Sequence, residues 1–174
     1  MDTSPNFSQI KALLLDSDGV LTDGGVYIGN EGQQMRRFDI KDGLGLVRIQ
    51  RAGIHVAIIS ASPATPVLER AKTLGIEHAY VGEKDKVERA KVLLEKWQVA
   101  LKDTAFIGDD LSDLALLKIV GYPISVADAS SGIQSNNEIC YTTKSRGGYG
   151  AVREVCDLIL GPKLGVKETA AQSI

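Results

Sequence analysis

The sequence predicts an α/β protein in which an open parallel sheet is flanked by helices and one small hairpin stands outside the repeat. Three observations predict it. Short apolar runs alternate with stretches of helical periodicity, the pattern of strand-helix repeats. Most helical stretches run into a glycine just past their last periodic residue, a common helix stop. The length of 174 residues with 44 % hydrophobic content suits one well-packed core better than two. A single domain over residues 1–174 is expected, with a hairpin flap at 24–40 and a tail at 162–174.

Each element has its own signal. ALLLD at 12–16 opens the chain as an unbroken apolar run, which suits a strand covered on both faces. GGVYIGNEGQQMRRFDI at 24–40 alternates on either side of a Gly-Asn-Glu-Gly turn and reads as a hairpin. HVAIIS at 55–60, HAYVG at 78–82, TAFIGD at 104–109, YPISVA at 122–127 and ICYTT at 139–143 continue the strands. Between them lie helical patterns: TPVLERAKTLG ending on Gly75, LSDLALLKIVG ending on Gly121, and GAVREVCDLILG ending on Gly161. The clearest is KVERAKVLLEKWQV, where Val87, Ala90, Leu93, Leu94 and Trp97 share one face.

Composition excludes several partners. Twenty basic against 22 acidic residues give a net charge of −2, so there is no basic field for nucleic acid or anionic lipid. MDTSPNFSQI lacks the charged-then-apolar layout of a secretory signal, and no apolar run approaches the roughly 20 residues that span a bilayer. A cytoplasmic protein is expected. Cys140 and Cys156 stand far apart in a chain with two histidines, which argues against zinc and against a bridge.

Open parallel sheets bind ligands beyond the carboxyl ends of their strands. Here those ends carry Asp16 and Asp18, Ser60, Lys86 shortly after the third, and Asp109 with Asp110. Singly, each has an ordinary reading as a helix cap or a solvated side chain. Together on one sheet edge they point to chemistry. In an extended strand Asp16 and Asp18 face the same side and Ser17 the other. Two carboxylates so close repel, so either a proton is shared or a hard cation such as Mg²⁺ sits among them with Asp109 as a further ligand. One aspartate can then attack phosphorus while a lysine neutralises the phosphoryl oxygens, and the other can serve as general acid and then base.

DSDGVLTDG, IIS, a lysine opening a helix and GDDLSD resemble the four motifs of haloacid dehalogenase-type phosphatases, over residues 11 to about 128. The resemblance implies a Rossmann-like fold with Asp16 as nucleophile and Asp18 as general acid and base. It implies that Ser60 and nearby backbone amides, that of Ala61 included, hold the phosphoryl group and that Lys86, rather than Lys84, neutralises it. Asp16, the Asp18 carbonyl and Asp109 would bind Mg²⁺, with Asp110 and Asp113 in or behind that shell. Only residues 19–59 separate Asp18 from Ser60, which leaves no room for a cap domain.

FDIKDGLGL at 38–46, GDDLSDLALLKIVG at 108–121, GGYGAVREVCDLIL at 147–160 and the terminal AQSI are similar to a capless subgroup, the 3-deoxy-D-manno-octulosonate 8-phosphate phosphatases. This implies hydrolysis of a sugar-acid phosphate through an aspartyl-phosphate in lipopolysaccharide precursor synthesis. It also implies a homotetramer whose neighbouring hairpin and C-terminal tail close the site. The chain departs from the subgroup after Ser60, where a Gly-Arg pair is expected and Ala61, Ser62 and Pro63 stand instead. Arg36, Arg37, Lys41 and Arg146 are the cations available to replace that arginine at a substrate carboxylate. The loss keeps a nine-carbon sialic-type acid 9-phosphate, or a broad set of sugar phosphates, as an alternative. Ser17, where many relatives have an aliphatic residue, is expected to hydrogen-bond within the sheet. A phospho-receiver signalling domain uses similar residues, but in another motif order.

Overall fold

The computed structural model describes residues 5–161. The expected tail at 162–174 lies outside them. Eight strands form: β1 (Ala12–Leu15), β2 (Tyr27–Ile28), β3 (Gln34–Met35), β4 (His55–Ile59), β5 (His78–Tyr80), β6 (Thr104–Gly108), β7 (Tyr122–Ser125) and β8 (Tyr141–Thr142). Six helices accompany them: α1 (Ile40–Arg51), α2 (Pro66–Thr73), α3 (Lys86–Trp97), α4 (Leu114–Leu117), α5 (Ser131–Gln134) and α6 (Ala151–Leu160). β2 and β3 pair as an antiparallel hairpin, while the other strands make one parallel sheet in the order β5-β4-β1-β6-β7-β8.

This order follows from the sequence pattern. β1 and β6 are buried along their whole length, as central parallel strands covered on both faces must be, so they read as continuous apolar runs. From β1 the chain steps outward through α1 to β4 and through α2 to β5; from β6 it steps the other way through α4 to β7. Right-handed crossovers in opposite directions put their helices on opposite faces. The direction reverses between β1 and β6, the switch point beyond whose carboxyl ends open α/β sheets bind their ligands.

Local chemistry fixes the helix that matters most to the site. Asp85 caps α3 by accepting the Glu88 N–H at 2.9 Å, which makes Lys86 its first residue. Ala90, Leu93 and Leu94 form its buried face. Elsewhere, Asp42 of α1 is fully buried and accepts N–H groups of Gly150 at 3.3 Å and Arg153 at 2.7 Å, tying α1 to the start of α6. The pattern at 111–121 breaks into a 3₁₀ turn over Leu111–Asp113 followed by the short α4.

Candidate active site

The first strand ends sooner than alternation predicts. Asp16 continues the ladder by one bond, its N–H donating to the Ile107 carbonyl at 3.0 Å. The chain then turns tightly, because the Ser17 carbonyl accepts the N–H groups of Val20, Leu21 and Thr22 at 3.2, 2.9 and 3.0 Å. Asp16 is therefore fixed by the sheet, while Asp18 rides on the turn. Ser17 is buried, but its hydroxyl finds no hydrogen-bond partner, contrary to the bond expected within the sheet.

After β6 the loop is pinned from behind. One oxygen of Asp113 accepts the N–H groups of Asp109 and Asp110 at 2.9 and 3.3 Å, and the other meets Lys86 Nζ at 2.6 Å. Lys86 Nζ also stands 2.8 Å from Asp16 Oδ1. Asp110 is exposed and caps the turn by accepting the Leu111 N–H at 2.7 Å. The helix start, the central strand and the neighbouring loop thus converge on one ammonium. Lys84, by contrast, is exposed.

Carboxylate oxygens of Asp16, Asp109 and Asp113 all lie within 4.8 Å of one another. Burial, reinforced by Asp113, pushes Asp16 up to about 6 against the pull of Lys86. Burial also drives Asp109 up to about 8, with the charges of Asp16, Asp113 and Asp110 adding to it. Burial alone would lower Lys86, but Asp16 and Asp113 outweigh it and hold the ammonium above its ordinary value. Two buried carboxylates and the half-buried Asp109, set around one ammonium, leave excess negative charge that a divalent, oxygen-seeking cation would neutralise. Both oxygens of Asp113 are already engaged, so Asp16 and Asp109 are the side chains that could hold it.

The remaining expected residues are distributed around this cluster. Ser60 is buried at the end of β4, its N–H donating to the Tyr80 carbonyl at 2.8 Å and its Oγ accepting the Ser62 N–H at 3.3 Å. Ala61 follows it, exposed in the loop. Lys41 is exposed in the first turn of α1, where its N–H donates to Asp39 Oδ1 at 2.7 Å; among the described residues it joins no ion pair with the cluster. The Asp18 carboxylate does not enter the carboxylate cluster but meets Arg36 Nε at 3.1 Å. Sequence reasoning placed Arg36 only among candidate cations for the substrate; its burial on Asp18 left no signal in the spacing. A cavity of about 410 Å³ lined by His55, His78 and Trp97 includes none of these residues.

Comparison with known proteins gives the chain a family. Residues 80–151 match the haloacid dehalogenase-like hydrolase family. A 3-deoxy-D-manno-octulosonate 8-phosphate phosphatase of Escherichia coli is 40 % identical over 173 residues, which is 99 % of this chain and 91 % of that relative. The chain belongs to the haloacid dehalogenase-like hydrolases. Its fold follows that of solved members of the family. The 3-deoxy-D-manno-octulosonate 8-phosphate phosphatase of Yersinia pestis is 41 % identical with a TM-score of 0.86, covering 89 % of this chain and 83 % of that one. The Moraxella catarrhalis phosphatase, in complex with magnesium, phosphate and the KDO molecule, is 39 % identical with a TM-score of 0.84, covering 89 % and 88 %. As a member of this haloacid dehalogenase-like group the chain is a phosphoric monoester hydrolase, its Asp16 and Asp109 carboxylates suit a cation such as the magnesium that the Moraxella phosphatase holds, and no cap domain interrupts the described residues.

Proposed function

We propose that this hydrolase releases phosphate from 3-deoxy-D-manno-octulosonate 8-phosphate, working as a single domain through an aspartyl-phosphate on Asp16. The observation that carries the reading is the buried Asp16–Lys86–Asp113 chain at 2.8 and 2.6 Å beside Asp109. An Asp16 oxygen attacks phosphorus, the bond from phosphorus to the sugar oxygen breaks, and Asp18 gives its proton to the departing alkoxide. The Asp18 carboxylate then takes a proton from the water that attacks the aspartyl-phosphate, so phosphate leaves and Asp16 is regenerated. Lys86, locked by Asp113, neutralises phosphoryl oxygens, while the Ser60 hydroxyl and the Ala61 N–H hold them. When bound by Asp16, Asp109 and the Asp18 carbonyl, magnesium supplies positive charge that offsets the nucleophile and the phosphoryl group.

The relatives' named substrate supports the octulosonate as substrate. Ser62, standing where an arginine is expected, favours a second reading with a nine-carbon acid 9-phosphate or a wider set of sugar phosphates. A Mg²⁺-dependent phosphate-release panel of sugar-acid, hexose and nucleotide monophosphates tests both, with Asp16→Asn as control. Preference for the eight-carbon acid phosphate supports the first reading; full activity of Asp16→Asn overturns the mechanism.

A homotetramer in the cytoplasm completes the proposal. The hairpin bares Val26, Tyr27, Ile28 and Met35 at 48, 54, 70 and 61 % exposure, an apolar patch suited to a second copy of the chain. No helix among the described residues is long and apolar enough to cross a membrane. Sedimentation equilibrium tests the assembly, with a purely monomeric species counting against it.

A further inference from the structure

Arg36 follows the exposed strand β3, yet its side chain is only 4 % exposed. The hairpin faces solvent while this one residue turns back toward the catalytic loop. Its guanidinium is held on every nitrogen. Nε donates to Asp18 Oδ1 at 3.1 Å, Nη1 to the Met35 carbonyl at 3.3 Å and Nη2 to Gln34 Oε1 at 3.3 Å. Burying a cation costs stability unless partners compensate, and the carboxylate it meets is that of Asp18.

The other three candidate cations are placed differently. Arg37 stacks over the Tyr149 ring at 4.2 Å with its side chain 39 % exposed, Arg146 pairs with Asp128 at 70 % exposure, and Lys41 is exposed in α1. Arg37 also meets the Gly148 carbonyl and the carboxylates of Asp23 and Asp39, but all three of these cations reach solvent, whereas the Arg36 side chain is withdrawn from it onto Asp18. A second link joins the same two segments, because Thr22 bridges Phe38 in antiparallel fashion at the root of the hairpin. The loop carrying Asp18 and the hairpin are therefore coupled at two points.

We infer that Arg36 is a positioning residue, which aims the Asp18 carboxylate at the leaving-group oxygen and makes that aim depend on where the hairpin sits. The inference rests on Asp18 being the general acid proposed above. A carboxylate on a turn is free to rotate, whereas proton transfer requires it within hydrogen-bond reach of the departing oxygen. The Nε–H of the guanidinium, itself held by Met35 and Gln34, restrains one oxygen of Asp18 and leaves the other for the proton. The hairpin is then coupled to the chemistry: a shift of β2–β3 carries Arg36 with it and misaligns the acid.

The test compares single-turnover cleavage rates of two phosphate esters in Arg36→Gln, Arg36→Lys and wild-type enzyme. The alkoxide of 3-deoxy-D-manno-octulosonate 8-phosphate needs a proton to depart; the phenolate of p-nitrophenyl phosphate leaves without one. Arg36→Gln is expected to slow cleavage of the sugar phosphate about tenfold or more, with half-saturation changed less than about threefold and a clearly smaller loss on p-nitrophenyl phosphate. Arg36→Lys is expected to recover part of the rate, and it decides the matter alone if Arg36→Gln does not fold. Equal losses on both esters, a change confined to half-saturation, or wild-type rates overturn the inference. Asp18→Asn separates the two levels. If it keeps full activity, the acid-base reading itself fails; if it is inactive while Arg36→Gln behaves as wild type, only the role of Arg36 fails.

Discussion

Lys86 and Asp113 form an ion pair at 2.6 Å with side chains 4 and 0 % exposed. The pair joins the first turn of α3 to the loop after β6, so it sets both the charge of the site and the course of the Asp109 loop. Removing one partner of a buried pair typically costs about 3–5 kcal/mol, because the other is left uncompensated. Asp113→Ala is expected to lower the unfolding free energy by about 3 kcal/mol or more in urea and to reduce kcat at least about 100-fold. Wild-type stability in that variant would contradict the pairing.

Magnesium binding should be linked to protons. Burial and the neighbouring carboxylates raise metal-free Asp109 to about 8, so at pH 7 it must lose a proton before it can ligate. Apparent affinity is expected to rise as pH climbs toward 8. Titration calorimetry in two buffers of different ionisation enthalpy should show proton release, and Asp109→Asn should bind more weakly and release fewer protons. Chelation should lower the melting temperature of the wild type, since the cation binds the native state.

Asp42 gives a stability slope of opposite sign to the usual carboxylate. Burial raises it from 3.8 to about 6, although the N–H groups of Arg153 and Gly150 oppose the shift. The native state then binds its proton more tightly than the unfolded chain, so this contribution is complete below about pH 4 and is lost as pH rises through about 6. Relative to wild type, Asp42→Asn should gain about 2–3 kcal/mol between pH 4 and pH 7, read from urea unfolding at each pH. A constant difference between the two proteins would contradict the assignment.

Gly147 and Gly19 meet backbone to backbone, and a Cβ at Gly147 would fall inside the Gly19 carbonyl oxygen. Gly19 in turn has φ +86° and lies against the Asp109 carboxylate. Gly147→Ala must push the turn that carries Asp18, so a loss of kcat of at least about tenfold is expected, together with about 1–3 kcal/mol of stability. Kinetics and urea denaturation of the same preparation check both.

The parallel sheet was legible because its central strands are buried on both faces and spelled as unbroken apolar runs, as in ALLL and TAFIG. Lys86 was legible because Asp85 caps the helix it opens. The direction of Asp18 was not. Period-two reasoning assumes a strand continuing past Leu15, whereas three N–H groups converge on the Ser17 carbonyl and bend the chain. Arg36 was hidden for a related reason: its burial depends on a hairpin folding back to residue 18, a contact no local periodicity encodes. α5 escaped notice because SGIQ has neither the length nor the periodicity to announce a helix.

The placement of β1 between β4 and β6 has a consequence for how this enzyme fails. Amides on a strand hydrogen-bonded on both sides exchange with solvent only when the whole domain opens, whereas a two-stranded hairpin can detach at little cost. Asp16 is the next residue on that strand and bonds to β6 as well. Mild denaturant should therefore release the hairpin first and leave the nucleophile in place until the last cooperative unit melts, so that acid-base function and nucleophile are lost in separate transitions.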